Sequence, residues 1–137
     1  MNYLAQIGWH GINVMTFRHR GQGLEQCSPA NCYTLSAIST IFVTLALIAE
    51  GNPFAGVMIG MLFHVAYMVL AIKMFSRMHV AGIACALAVF AVFRTLGATV
   101  AVDILGPESS VFRIWEPLSL IVFIIRSGLT ETQGKKE

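Results

Sequence analysis

Residues 33–76 read YTLSAISTIFVTLALIAE, GNP, then FAGVMIGMLFHVAYMVLAIKMFS. No charge interrupts the first block before Glu50, and His64 stands alone as an ionisable group in the apolar part of the second, before Lys73. Crossing the ~30 Å hydrocarbon layer takes roughly 20 apolar residues in a helix. Two such blocks joined by Gly51, Asn52 and Pro53 therefore read as a helical hairpin through a membrane. The composition of the whole chain agrees. Of its 137 residues, 56% are apolar and 12% charged. A soluble domain has about 45–50% and about 25%. The low charge is the larger departure, because charged groups keep a surface in water.

Two more apolar segments follow in the chain. The third expected span covers about 79–105 and contains Arg94; the fourth covers about 109–127, with Arg113 and Glu116 in its first half. Gly106, Pro107 and Glu108 lie in the linker between them, and residues 128–137 form a polar tail. Upstream, residues 1–32 form an N-terminal segment and loop. Leu4, Ile7, Ile12 and Met15 recur there at helical spacing, and Trp9, Arg18 and Arg20 supply an aromatic anchor and a basic end. That pattern suits an amphipathic helix lying in the membrane interface. The first 17 residues lack the basic n-region and cleavage site of a signal peptide, so targeting is expected from the spans themselves. The expected fold is all-α, a four-helix membrane bundle with an interfacial N-terminal helix.

Charge placement orients it. With spans at about 33–50, 54–76, 79–105 and 109–127, Arg18, Arg20, Lys73, Arg77, Arg126, Lys135 and Lys136 share one side. Arg113 is on the other, with Glu50, Asp103 and Glu108. Seven basic residues against one place both termini in the cytoplasm. Short loops and this bias fit a bacterial inner membrane. The net charge of +2 is scattered, with no basic stripe, so no nucleic-acid partner is expected.

Polar groups at mid-bilayer are the first candidates for function. Counted from the outer helix ends, Arg94 lies about 11 residues deep and His64 about 10, or roughly 15–16 Å for both. An Arg94–Glu116 pair with His64 beside it would neutralise the buried charge. It would act either as a relay or as a structural pair that fixes helix register. Gly56 and Gly60 lie one turn apart on the second span, and Ala84, Ala88, Ala91 and Ala98 form a small-residue face on the third. These faces are expected to pack together, or against a second copy. Ser36, Thr40 and Thr44 make a hydroxyl stripe on the first span, which serves as interhelical glue or, in a channel, as a lining.

Cofactor and catalytic patterns are missing. Cys27 and Cys32 are separated by four residues, not the two of a redox or zinc pair, and on this topology they are reduced. Cys85 reads as a small buried apolar residue. Met58 and Met61 have no convergent soft ligand at their depth, so no copper site is expected. His64 is the one histidine deep in a span, which argues against bis-His haem. No metal, cofactor or nucleophile–base arrangement is expected. The leading expectation is a non-enzymatic accessory or assembly subunit of a larger inner-membrane complex, with a protein partner in the bilayer. The alternative is a small self-associating pore or transporter, holin-like or proton/ion-coupled, using the His64/Arg94/Glu116 level.

Overall fold

The computed structural model describes residues 2–24, 26–100 and 110–134, with side chains in the last stretch described for 113–129. The described residues form five helices: α1 Tyr3–Met15, α2 Pro29–Ala49, α3 Phe54–Met74, α4 Arg77–Val100 and α5 Ser110–Gly134. No strand occurs among the described residues, as an all-α fold requires. Among the described residues three helices, α2, α3 and α4, are long and apolar enough to cross a membrane. The expected residues 101–105 of the third span, the linker 106–109 with Glu108, and Asp103, Lys135 and Lys136 lie outside the described residues. Helix α5 carries Pro117 in its interior and continues to Gly134, past the point where a polar tail is expected.

The helix ends follow local chemistry. Ser28 caps α2: its Oγ accepts the Asn31 N–H at 3.2 Å. Pro29 occupies the first helical position, where a missing N–H costs nothing. At the other end Gly51 takes φ +76°. The Gly51 N–H then reaches the Ile48 carbonyl at 3.0 Å and the Asn52 N–H the Leu47 carbonyl at 3.3 Å. This pair of bonds is the Schellman stop, and it makes Glu50 the C-cap of α2. Ser76 precedes α4, and its hydroxyl pairs with His79 Nδ1 at 2.6 Å.

Helix α4 is the axis of the bundle. Every residue from Met78 to Ala91 is buried. A helix buried on all sides must be apolar all round and, to be approached closely, rich in small residues. Ala81, Gly82, Ala84, Cys85, Ala86, Ala88 and Ala91 meet that need. Its main neighbour is α2, followed by α1, with α5 and α3 touching it less. The expected packing of the second span on the third is thus a minor contact, because α3 lies outside α2 rather than against the axis. Gly60 shows this: a Cβ there would fall 2.6 Å from Leu47 Cδ1, on α2. Gly56 faces only the Pro53 and Asn52 turn. Ala84, Ala88 and Ala91 are buried and Ala98 is half-buried, but they belong to a buried circumference rather than to one face toward α3.

The amphipathic α1 forms and docks on α4. Ile7, Gly11 and Val14 face inward. A Cβ on Gly11 would lie 2.5 Å from the Cys85 carbonyl oxygen and 2.4 Å from Val89 Cγ2, so the two backbones meet at that glycine. Leu4, Trp9 and Ile12 remain exposed on the opposite face, and Arg18 and Arg20 are exposed beyond the helix. The turn after α1 is tied to α5: Trp115 Nε1 donates to the Met15 carbonyl at 2.9 Å and Arg126 donates to the Phe17 carbonyl.

Candidate functional site

The polar groups of the apolar segments fall into two levels. At the Glu50 end, Arg94 forms a two-pronged ion pair with Glu50. Nε–H donates to Oε1 at 2.8 Å and Nη2–H to Oε2 at 3.0 Å, with Nη2 also 2.7 Å from Oε1. The Glu50 side chain is 7% exposed and that of Arg94 24%. Asn52 Nδ2 donates to Glu50 Oε2 at 3.4 Å and to the Leu47 carbonyl at 2.9 Å, so the turn itself aims the carboxylate. Arg94 therefore meets the end of α2, not the interior of α5. Glu116 lies within electrostatic reach of Arg94, yet the hydrogen bonds of Arg94 go to Glu50. The depth counted from residue 105 misplaces Arg94; its partner at the C-cap of α2 puts it near a helix end.

His64 is separate from this pair. It lies on the inward stripe of α3 and its Nε2 pairs with Ser39 Oγ on α2 at 3.1 Å. Ser39 is fully buried. The sequence pattern contains this contact only as a hydroxyl one turn from the Ser36/Thr40/Thr44 stripe. The stripe itself turns back on its own helix. Ser36 Oγ donates to the Cys32 carbonyl, Thr40 to Ser36 and Thr44 to Thr40, at 2.7, 2.8 and 2.8 Å. These hydroxyl protons are used within α2, not between helices.

The second level lies where α1, the loop after it and the starts of α2 and α4 converge. His10 Nδ1 and His19 Nε2 are 2.6 Å apart, and the Gly21 N–H points at His19 Nδ1 at 2.8 Å. Because His19 Nδ1 accepts from Gly21, a neutral His19 carries its proton on Nε2 and donates it to His10 Nδ1. In that arrangement a proton added at His10 Nδ1, the acceptor, breaks the chain of bonds. Burial also holds the His10 pKa below its ordinary 6.5, and it raises the Tyr3 hydroxyl above 10.0. Phe123 is wedged between His19 and His79, at ring-centroid distances of 5.4 and 6.1 Å. It fills the space beside Gly82, where a Cβ would fall 2.2 Å from its Cζ. His79 Nε2 is buried and has no hydrogen-bond partner among the described residues.

Beside this cluster, Cys27 and Cys32 meet with their sulfurs 3.5 Å apart. Spacing judged against a two-residue redox motif misses this pair. The signal that finds it is the cap: with Ser28 at N-cap, residues 27 and 32 are the N′ and N4 positions, which face each other. No group of three or more His, Cys, Asp or Glu among the described residues could hold a metal ion. Comparison with protein-family models, curated proteins and solved structures gives no match.

Proposed function

We propose that this chain is a non-enzymatic subunit that helps assemble a larger complex in a bacterial inner membrane. The observation that carries the reading is the internal pairing of its intramembrane polar groups. Arg94 is matched to Glu50 and His64 to Ser39, and the α2 hydroxyls donate to their own carbonyls. A conducting pathway needs polar groups that can exchange partners with an ion or with water, whereas here the polar contacts fix register between helices. The second support is α3. Only Val57, Met68 and Ala71 are buried on it, leaving Phe54, Ile59, Leu62, Phe63, Leu70 and Met74 outward. Such a face suits lipid and a partner helix alike.

In the same reading α5 is the fourth span and both termini are cytoplasmic, while α1, whose Gly11 meets Cys85 and Val89 in the middle of α4, packs along the bundle. The contacts support this. The loop bearing Arg18 and Arg20 reaches Met78 through Gly21, and Cys32 lies at the Arg77 carbonyl. Arg126 binds the Phe17 carbonyl. The basic residues around these contacts therefore gather at one end of the bundle, with Glu50 and Arg94 toward the other.

The test is purification of the tagged chain in a mild detergent followed by native mass spectrometry, with single cysteines at residues 52 and 128 labelled from either side in vesicles. A stable hetero-complex, and labelling of 52 and 128 from opposite sides, are the expected results. A homo-oligomer with no partner, and with ion flux in vesicles, would overturn the assembly reading in favour of a pore.

A further inference from the structure

We propose that Cys27 and Cys32 form a reversible dithiol/disulfide site whose co-substrate is a low-molecular-weight disulfide. The argument starts at the helix cap. Ser28 accepts from Asn31 and Pro29 opens α2, so the chain enters the helix at a fixed angle. In that geometry the side chain just before the cap folds onto the one four positions after it, an arrangement ordinarily filled by two apolar residues. Here both are cysteines. Their sulfurs are already in contact at 3.5 Å, and closing a disulfide of about 2.05 Å moves them roughly 1.5 Å. Cys27 belongs to the loop and can make that movement, while Cys32 is held in the first turn of α2. The Cys32 thiol has two acceptors to choose between, Cys27 Sγ and the Arg77 carbonyl, each at 3.5 Å. Neither cysteine is bonded to anything else covalently.

Access exists from two sides. A cavity of about 150 Å³ is lined by Tyr3, His10, Gln26, Cys27 and Cys85, and another of about 210 Å³ by Cys32, Tyr33, Phe75 and Arg77. Cys27 is half-buried and Cys32 buried, so Cys27 is the attacking thiol and Cys32 the resolving one. The Cys27 thiolate attacks one sulfur of R–S–S–R, forming Cys27–S–S–R and expelling R–S⁻. The Cys32 thiol gives its proton to that thiolate and attacks the Cys27 sulfur, which releases the second R–S⁻; this takes up the proton Cys27 lost. The two protein sulfurs lose two electrons and the disulfide gains them. The closed ring ties the loop from α1 to the start of α2. It also removes the hydrogen bond from Cys32 to Arg77, and with it one link between α2 and α4.

The experiment uses the full chain in detergent, equilibrated in glutathione buffers of increasing oxidised fraction, quenched with an alkylating reagent and analysed by intact and peptide mass. The expected product is a monomer two hydrogens lighter, with one Cys27–Cys32 crosslink and Cys85 in its thiol form. Cys32→Ser should stop at a glutathione adduct on Cys27. Phenylarsine oxide, which binds paired thiols, should bind the reduced wild-type chain roughly a hundredfold tighter than Cys32→Ser or Cys27→Ser. The wild-type arsenical result stands even if one variant misfolds. A crosslink to Cys85 or between copies, equal arsenical binding by all three proteins, or thiols that stay unoxidised in every buffer would each overturn the proposal.

Discussion

Replacing Arg94 by Leu is the sharpest probe of how this bundle is held. The change strands Glu50, whose side chain is 7% exposed, at the C-cap of α2. A carboxylate there also faces the negative end of the helix dipole, which disfavours it by about 0.3–1 kcal/mol. Its remaining hydrogen bond among the described residues is from Asn52 Nδ2 at 3.4 Å. Breaking a buried pair by removing one partner costs about 3–5 kcal/mol. Because the Arg94 side chain is 24% exposed, the pair is partly wetted, and we expect Arg94→Leu near the low end, about 3 kcal/mol. Glu50→Gln keeps the shape and leaves Arg94 free to turn to its exposed side, so it should cost about 1–2 kcal/mol. The double change Arg94→Leu with Glu50→Leu removes both charges and should return to within about 1 kcal/mol of wild type. The assay is unfolding in mixed micelles by titration with dodecyl sulfate, followed by far-ultraviolet circular dichroism and tryptophan fluorescence. Additive single and double changes, or Arg94→Leu within about 0.5 kcal/mol of wild type, would refute the reasoning. A Glu116→Gln penalty equal to that of Arg94→Leu would restore the Arg94–Glu116 pair expected from sequence.

Further outcomes follow from the same contacts. Gly11→Ala drives a methyl into the Cys85 carbonyl and should cost about 1–3 kcal/mol, whereas Gly8→Ala meets nothing within 4 Å and should stabilise α1 by up to about 1 kcal/mol; the micelle titration reads both. Ser28→Ala removes the cap of α2 and should cost about 0.5–2 kcal/mol, with amide exchange faster only in its first turn. The His10 pKa is lowered in the folded chain. The unfolded chain therefore binds more protons, so stability is full above pH about 6.5 and falls as the pH drops below it. His10→Phe should flatten that decline, and a pH profile identical to wild type would show that the buried His10 does not govern it.

The fold was legible where local chemistry decides it and obscure where neighbours do. Long apolar runs and the Gly51-Asn52-Pro53 turn place α2 and α3 within a few residues, since length and turn type depend only on nearby chain. Spatial order depends on which helix carries enough small residues to be surrounded. The small residues of α4 are spread over its whole circumference from Met78 to Ala91. Reading them as one stripe, Ala84, Ala88, Ala91 and Ala98, pairs α4 with its chain neighbour α3 and misses α2. That error carries into the site. Once α2 is the neighbour, the carboxylate nearest Arg94 among the described residues is Glu50, delivered by the Schellman turn, and His64 on α3 finds the fully buried Ser39 of α2.

The thiol pair shows the other kind of omission, since nothing tertiary is needed to find it. A spacing of four residues between cysteines fails every motif that demands a metal or a CxxC turn. The same spacing read against Ser28 and Pro29 puts the two sulfurs at positions that a helix start brings together by geometry alone. Ser28 does cap the helix, at 3.2 Å, and the sulfurs do meet, at 3.5 Å. In a chain this apolar, where charge patterns are sparse, caps and stops are the local rules that still specify side-chain contacts. They locate both of the polar contacts that matter most here: Glu50 stands at the stop of α2, and Cys27 and Cys32 flank its start.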